Sequence, residues 1–409
     1  MTEAAATVPS AYHRAHKKEL AGWIGNATMD PFYISPENWE QHLPGAVLRV
    51  EKADGLEHTK VPSGLSVYRL LYVSLDHDEK LVPASAFVLL PYGQKYPETP
   101  LKVIVWAHGT SGIERHCSPS NHRELYYNFD APVTMALRGY AVIAPDYAGL
   151  GSDTPFHYCS GPGHAADIAY AVTAAGVAFP SGPPFAHEWV TVGHSEGGLS
   201  AWAINEREVV KPTGGFRGSV AIAPALQVVR LSRHRMIHYP QSQAATLFYS
   251  YILSAMGRFS QIKIDLNRYF SRVGLERTRV AREACFFAGL PLFSDLTFSD
   301  VFKDPSWIHS EWAESWENRT GILGDRPLAE PILVIQGLSD MAIFPDMTQN
   351  IFDKHCNSRP KPRAQLDLYP NMGHENIMLV SQLEVFDWIE DRFNGKDLIG
   401  CATNTMVAN

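Results

Sequence analysis

A serine set between two glycines is the first place where this sequence suggests chemistry. Gly193, Ser195 and Gly197 form the pattern G-x-S-x-G, which follows the apolar run 189–192 and precedes helix-forming residues. Between a strand and a helix, this pattern is typical of a nucleophile elbow, in which the serine hydroxyl projects from the end of a sheet. The glycines are needed because so tight a turn leaves no room for neighbouring Cβ atoms. We therefore predict that Ser195 is a nucleophile, although the pattern alone also arises by chance.

Two later residues could activate that serine. A serine hydroxyl is a poor nucleophile until a base takes its proton and an acid orients the base. After a nucleophile elbow, the partners follow in the order acid, then histidine, beyond the ends of later strands. Asp340 follows the apolar run 331–336, and His374 follows the run 364–369. We therefore predict the triad Ser195, Asp340 and His374.

Each partner has an alternative interpretation. Asp340 could instead be a turn residue or the N-cap of a helix, and His374 could cap the helix that follows it. Asp346 is the rival acid, but it lies further from the end of its strand and resembles an N-cap. We favour Asp340.

A tetrahedral oxyanion needs two fixed hydrogen-bond donors. We expect one to be the backbone N–H of Glu196, the residue after the nucleophile. The loop after the strand 101–107 supplies the other, with Thr110 as the first choice and Gly109 as the second. A charged Glu196 side chain would oppose the developing negative charge. We therefore expect it to point away from the cleft and to bond to polar groups of a loop, while His194 packs under the turn.

The surrounding elements are those that a triad of this kind requires. Strand-like runs at 46–51, 65–74 and 83–90 indicate an antiparallel entry to a sheet, and strands and helices alternate after Pro100. That alternation predicts an α/β fold with a mostly parallel sheet flanked by helices. It stops over 224–326, where the sequence is helical and rich in aromatic residues. We predict an N-terminal arm (1–45), a core in two parts (46–223 and 328–409) and a helical cap or lid (224–327).

Composition excludes several classes of protein. Of the 409 residues, 45% are hydrophobic and 19% charged, as in well-packed globular proteins. A formal net charge of −8 leaves no basic footprint for nucleic acid, so we expect no such partner. No apolar run is long enough to span a bilayer. Residues 1–4 lack the features of a secretory signal, so we expect a cytoplasmic location unless a leader precedes them.

The cysteines form no recognisable framework. They are odd in number, scattered and without a C-x-x-C pair: Cys117, Cys159, Cys285, Cys356 and Cys401. We therefore expect buried free thiols rather than a metal site or a disulfide framework. We expect no cofactor.

The motifs together resemble the α/β-hydrolase superfamily and, more narrowly, the secretory lipase family typified by fungal lipase A. The wider likeness rests on HGTSG, GHSEGG, QGLSD and NMGH in that order. The narrower likeness rests on DPFY (30–33), PGAVL (44–48), HGT (108–110) with CSPS (117–120), and DYAGLG (146–151). The resemblance implies serine ester hydrolysis and a helical cap between core strands 6 and 7. Cys117 and Cys159 could pair in a secreted relative, but without a secretion signal we expect them to stay reduced.

The sequence thus predicts a carboxylic ester hydrolase that acts on a hydrophobic small molecule or lipid. The missing signal favours a small intracellular ester over triglyceride droplets. Two alternatives stay open: an acyltransferase that uses the same triad, and a non-catalytic binding protein on this fold. Most aromatic residues of the cap are expected to be core, while 248–251 and 286–287 are candidates for the acyl site.

Overall fold

A ten-stranded sheet forms the centre of the molecule. The computed structural model describes residues 8–53, 60–92, 99–179, 185–243, 246–258, 263–322 and 324–407. The strands, in chain order, are β1 (Val47–Lys52), β2 (Leu65–Leu75), β3 (Leu81–Pro91), β4 (Leu101–Ala107), β5 (Ala141–Pro145), β6 (Phe185–His194), β7 (Phe216–Ile222), β8 (Ile332–Gly337), β9 (Arg363–Tyr369) and β10 (Gly400–Thr405).

The spatial order of the strands is β1-β2-β3-β5-β4-β6-β7-β8-β9-β10. The pairs β1–β2, β2–β3 and β3–β5 are antiparallel. All pairs from β5–β4 onward to β9–β10 are parallel. The predicted mostly parallel sheet with an antiparallel entry is confirmed. Because parallel strands end at the same edge, the loops after β4, β6, β8 and β9 meet there.

Helices flank this sheet and fill the longer connections. They are α1 (Ser10–Gly22), α2 (Pro132–Leu137), α3 (Gly161–Ala178), α4 (Glu196–Val210), α5 (Val228–His238), α6 (Thr246–Arg258), α7 (Leu266–Tyr269), α8 (Arg272–Ala281), α9 (Phe286–Gly289), α10 (Phe298–Val301), α11 (Glu311–Thr320), α12 (Pro345–Asn357), α13 (Ile377–Val380) and α14 (Gln382–Phe393). None of the helices in the described ranges is long and apolar enough to cross a membrane.

The apolar patterns explain the helices next to the site. In α3, Ile168, Ala171 and Ala175 are buried, as their spacing at i, i+3 and i+7 predicts. The spacing of Leu379, Leu383, Phe386 and Ile389 predicts one final helix over about 376–393 with these residues on its apolar face. The chain instead breaks at Ser381 into α13 and α14. That break changes the helical phase, so Leu379 and Leu383, which we expected on the apolar face, are 57% and 66% exposed.

Helices α5 to α11 lie between β7 and β8, and we call them the cap. If the N-terminal edge strand β1 is left out, β7 and β8 are the sixth and seventh strands, where the resemblance places a cap. The four domain boundaries themselves stay predictions. Within the cap, Trp307 and Tyr251 are among the largest fully buried side chains, so packing accounts for most of its aromatic residues.

The expectation about the cysteines is wrong for four of the five. Cys117 is bonded to Cys285 and Cys356 to Cys401, with Cα–Cα distances of 5.3 and 6.1 Å, both within the range that a disulfide spans. Cys159 is a buried free thiol, as expected. The pairs are separated by 168 and 45 residues, and only the folded chain brings them together.

The two disulfides hold different parts of the molecule. The Cys117–Cys285 bond joins the loop after β4 to the start of α9 in the cap, where the Phe286 N–H also donates to the Ser111 carbonyl at 2.7 Å. The Cys356–Cys401 bond joins α12 to β10, a strand that we did not predict from the sequence. The first bond therefore fastens the cap to the core, while the second lies within the core.

Candidate active site

Ser195 lies between the end of β6 and the start of α4 in a strained conformation. Its φ of 57° and ψ of −116° lie where a residue with a Cβ is rare. A Cβ on Gly193 would lie 2.0 Å from the Gly197 carbonyl oxygen, and one on Gly197 would lie 1.9 Å from the Ala107 oxygen. Only glycine fits at these two positions, so the turn has the geometry of a nucleophile elbow.

The three residues predicted as a triad meet at the carboxyl edge of the sheet. His374, in the loop after β9, has its Nε2 2.9 Å from Ser195 Oγ. Its Nδ1 is 2.8 Å from Oδ2 of Asp340, which follows β8. Because a carboxylate only accepts, Nδ1 carries the proton of a neutral imidazole, and Nε2 accepts from the Ser195 hydroxyl. The arrangement can therefore move a proton from the serine to the imidazole.

Asp340 and His374 each favour the ionised form of the other, although both are buried. Burial alone would raise the pKa of Asp340, but the His374 imidazole and the N–H groups of Ile343 and Ala342 hold that pKa below its ordinary value. Burial alone would lower the pKa of His374, but the Asp340 carboxylate raises it above its ordinary value. The acid is also fixed in place, because its Oδ1 accepts from the Ala342 and Ile343 N–H groups at 2.8 and 2.9 Å.

His194 does more than pack under the turn. Its Nε2 is 2.9 Å from the carbonyl oxygen of His374, and its Nδ1 is 2.9 Å from the Tyr127 hydroxyl. A carbonyl only accepts, so Nε2 carries the proton and Tyr127 donates to Nδ1. Burial lowers the pKa of His194 to about 3, which keeps the ring neutral. The sequence held no signal for the contribution of Tyr127.

The residues proposed as oxyanion donors lie at the elbow and in the loop after β4. Gly109 packs against the elbow, because a Cβ there would lie 3.0 Å from the His194 oxygen and 3.3 Å from the Ser195 Cβ. Thr110 is buried, and its Oγ1 lies 2.7 Å from the Tyr158 hydroxyl. Within the described ranges, neither the Thr110 nor the Glu196 amide N–H donates to a backbone carbonyl. The assignment of these two amides to an oxyanion hole stays a prediction.

The Glu196 side chain points toward a loop, as we expected. Its Oε1 accepts from the Cys159 N–H at 2.9 Å and lies 3.7 Å from His164 Nε2. Burial raises the pKa of Glu196 to about 8. This raised pKa favours the neutral carboxyl group, which would not oppose negative charge next to Ser195.

The rival acid lies elsewhere. Asp346 is in the first turn of α12, its side chain is 62% exposed, and Oδ2 is 3.9 Å from His234 Nε2. A hydrogen bond from Gln336 Nε2 to Asp340 Oδ2, at 3.3 Å, further distinguishes the two acids. Gln336 belongs to the QGLSD motif, but its contact with Asp340 was not predicted.

A narrow apolar cavity of about 20 Å³ lies beside Ser195. Its walls come from the cap and from the loop after Asp340, and they include Val228, Leu231, Phe248, Tyr249, Ile252 and Ile343. Of the aromatic residues proposed for an acyl site, Phe248 and Tyr249 line this cavity. Phe286 packs behind Phe248 with ring centroids 4.7 Å apart, whereas Phe287 is 47% exposed and stacks on Tyr126.

Two groups of side chains elsewhere have the types that bind metal ions. His116 lies beside Cys117 and Cys285, but the disulfide between those cysteines removes their thiolates. Asp76, His77 and His157 place one ligand atom each within 4.8 Å of one another. Neither group includes a residue of the Ser195 site.

The fold and this site define the class of protein. The family model described as "Alpha/beta hydrolase family" matches residues 104–388, more than half of the chain. The chain therefore belongs to the α/β-hydrolase family.

Two individual relatives are named as ester hydrolases. The chain is 24% identical to the trichothecene C-3 esterase of Fusarium sporotrichioides, with 93% of this chain and 88% of the relative covered. It is 20% identical to a secreted triacylglycerol lipase of Malassezia globosa, with 90% and 79% covered. These matches confirm the expected class, an enzyme among the lipase- and esterase-like carboxylic ester hydrolases.

Solved structures show the same fold. Closed Candida antarctica lipase A superposes with a TM-score of 0.76 at 13% identity, covering 94% of this chain and 90% of the lipase. The cell wall degrading esterase LipA of Xanthomonas oryzae gives a TM-score of 0.70 at 16% identity, covering 87% and 100%. The predicted resemblance to fungal lipase A is confirmed for the fold.

Proposed function

We propose that this protein hydrolyses the carboxylic ester of a small hydrophobic molecule through an acyl-enzyme on Ser195. The observation that carries the proposal is the continuous relay from Ser195 Oγ through His374 to Asp340, with distances of 2.9 and 2.8 Å. Likeness to the named lipase and esterase supports an ester substrate, and the apolar cavity beside Ser195 supports a hydrophobic one.

Acylation uses each of these groups. His374 Nε2 takes the hydroxyl proton while Ser195 Oγ attacks the ester carbonyl carbon. The Thr110 and Glu196 N–H groups donate to the oxyanion, with Gly109 allowing the loop to approach. The imidazolium then protonates the departing alcohol, and Asp340 stabilises the positive charge that forms meanwhile.

Deacylation repeats these reaction steps with water as the nucleophile. His374 removes a proton from a water molecule as its oxygen attacks the acyl carbon, and the returning proton restores the Ser195 hydroxyl. The near-neutral Glu196 carboxyl leaves the oxyanion unopposed in both halves.

The cavity favours a short acyl group. A volume of about 20 Å³ is little more than the room that one water molecule occupies. Only the smallest acyl groups fit beside Ser195 in this arrangement, whereas a longer chain requires the cap helices to move. The likeness to an esterase of a trichothecene supports a compact substrate of this kind.

The compartment is a separate part of the proposal. The cytoplasmic location expected from the sequence stays a prediction. Two disulfides favour an oxidising compartment, because such bonds rarely persist in the cytosol. Thiol alkylation of protein taken directly from its source cells, under denaturing conditions that expose the buried Cys159, tests this point. Labelling of Cys159 alone favours the oxidising compartment, and labelling of all the cysteines favours the cytoplasm.

The activity itself is tested with Ser195→Ala. This variant should stay folded, lose fluorophosphonate labelling, and lose p-nitrophenyl acetate turnover by roughly 10⁵- to 10⁶-fold. The exposed Ser294 provides a matched control, because Ser294→Ala should be labelled like the wild type. Labelling of Ser195→Ala at the wild-type rate would show that another residue is the nucleophile. Adding an alcohol acceptor to the wild type separates hydrolysis from acyl transfer by the products formed.

A further inference from the structure

A second and larger cavity lies away from Ser195. It measures about 400 Å³ and is bounded by α3, α4, the turn after β2 (75–79) and the chain that leaves the cap after α11. Its apolar walls include Pro162, Ala165, Ala166, Ala203 and Ile322. This volume lies within the range of small-molecule sites.

One acidic side chain on the wall of this cavity is difficult to explain as a purely structural residue. Glu206, on α4, lines the cavity, and its side chain is only 5% exposed. Neither of its carboxylate oxygens has a hydrogen-bond partner, and the Arg326 Nη1 lies 3.8 Å from Oε2, beyond hydrogen-bond distance. Burial raises the pKa of Glu206 to about 7, although Arg326 and the indole of Trp202 favour the charged form. A buried, unsatisfied carboxyl group destabilises the fold unless something pairs with it.

The charged side chains around the cavity differ in burial. The side chains of Arg326 and Lys211 are at its rim, 53% and 46% exposed, whereas that of Arg207 is 14% exposed. Lys211 already pairs with Glu79, and Arg207 donates to the Lys211 carbonyl at 2.8 Å. Of the acidic residues that line the cavity, which are Asp76, Glu79 and Glu206, only Glu206 is buried, and it lies next to the apolar walls.

We propose that this cavity is a second binding site for a small amphipathic amine. Its ammonium group would donate to the Glu206 carboxylate, and its hydrocarbon part would contact the alanines of α3 and α4. Arg326, which is half exposed, can turn outward as the cation enters. A buried charge-assisted hydrogen bond is among the stronger polar interactions, so the cation both gains a partner and satisfies Glu206.

Such a ligand would contact two segments that lead to the active site. Helix α4 begins at Glu196, directly after Ser195, and Ile322 follows the last helix of the cap. The amine site shares no residue with the Ser195–His374–Asp340 relay or with the cavity beside Ser195. The inference is therefore independent of the proposed hydrolysis.

Calorimetric titration of n-hexylammonium into the full-length Ser195→Ala protein tests the site without requiring catalysis. We expect one saturable site. Glu206→Gln should weaken binding by about 10- to 100-fold, the loss expected of one charge-assisted bond, and should leave binding of the neutral probe hexan-1-ol unchanged. Glu79→Gln is the matched control, because Glu79 lines the same cavity at its exposed rim and should leave both affinities unchanged.

A second variant acts through volume rather than charge. Ala166→Leu places a larger side chain in the cavity and should remove binding of both probes. Thermal melts without ligand verify that each variant folds, and Glu206→Gln should be at least as stable as its parent. The proposal is overturned if hexylammonium does not bind, if neither variant weakens binding, or if phosphonylation of Ser195 in the wild type displaces the probe. Absent binding, or binding that neither variant weakens, would show that this cavity is not the amine site. Displacement by phosphonylation would show that the probe occupies the cavity beside Ser195.

Discussion

The core and the cap of this enzyme contribute to the site in different ways. The core presents Ser195, Asp340 and His374 from loops at the ends of β6, β8 and β9, so backbone hydrogen bonds of a buried sheet set their spacing. The cap contributes Phe248 and other cavity walls from short helices, which are held by side-chain packing.

This difference separates chemistry from specificity. Groups that must stay within a few tenths of an ångström belong on a rigid sheet, where register leaves little freedom. Cavity walls tolerate substitution better, because an apolar surface can be repacked. Changes in the core should therefore alter turnover, and changes in the cap should alter the choice of substrate. The following variants test that division.

Among the variants that test this division, Asp340→Asn should have the largest effect. Loss of the acid should lower kcat by roughly 10⁴-fold. Hydrolysis needs neutral His374, so the rate rises as pH passes upward through the His374 pKa. Asp340 raises that pKa, and its removal should move the acidic limb of the pH–rate profile to lower pH. Asp346→Asn is the control and should keep the wild-type profile. If the two variants exchange these results, Asp346 is the acid.

His194→Phe should give the next largest effect. Phenylalanine keeps the ring but removes the bonds to the His374 carbonyl and to Tyr127. An unsatisfied buried carbonyl costs about 1–3 kcal/mol, so kcat should fall about 10- to 100-fold while KM changes little. Steady-state kinetics at several pH values measure this. Wild-type kcat in the phenylalanine variant would show that His194 only packs.

In the cap, Phe248→Ala should change preference rather than rate. Removing the ring enlarges the cavity beside Ser195, and the ratio of kcat/KM for p-nitrophenyl hexanoate to that for acetate should rise about tenfold, the lower end of the effect of one buried methylene. Phe286→Ala should have a smaller effect, since Phe286 packs behind Phe248. Phe287→Ala is the control, because Phe287 is half exposed outside the cavity. An unchanged ratio in Phe248→Ala would show that this part of the cap does not line the acyl site.

The smallest effect on turnover is expected from the disulfides. Replacing both cysteines of either pair by serine should lower the free energy of unfolding by roughly 2–4 kcal/mol, measured by denaturant titration. Only the Cys117/Cys285 pair joins cap to core, so only its loss should also raise KM. The Cys356/Cys401 variant is the matched control. Equal KM values in the two variants would show that this bond does not position the cap.

Much of the candidate site could be predicted from the sequence because its geometry is local to strand ends. Ser195, Asp340 and His374 each follow an apolar run, and parallel strands bring their carboxyl ends to one edge. The strained elbow was predictable from Gly193 and Gly197 for the same local reason. Their catalytic roles stay predictions until the variants are measured.

Contacts between distant segments could not be predicted in the same way. Cys117 meets Cys285 across 168 residues, and no local pattern specifies such a pair. The bonds of His194, Tyr127 and Tyr158 likewise depend on how loops pack.

The sequence alone determined the α/β class, the elbow and the order of the reacting residues, because periodicity and turn chemistry act over a few neighbours. Only the tertiary structure decided the raised pKa of Glu196, the size of the cavity beside Ser195 and the burial of Glu206. Those properties depend on how completely side chains far apart in the chain exclude water, and that exclusion exists only once the helices have packed on the sheet.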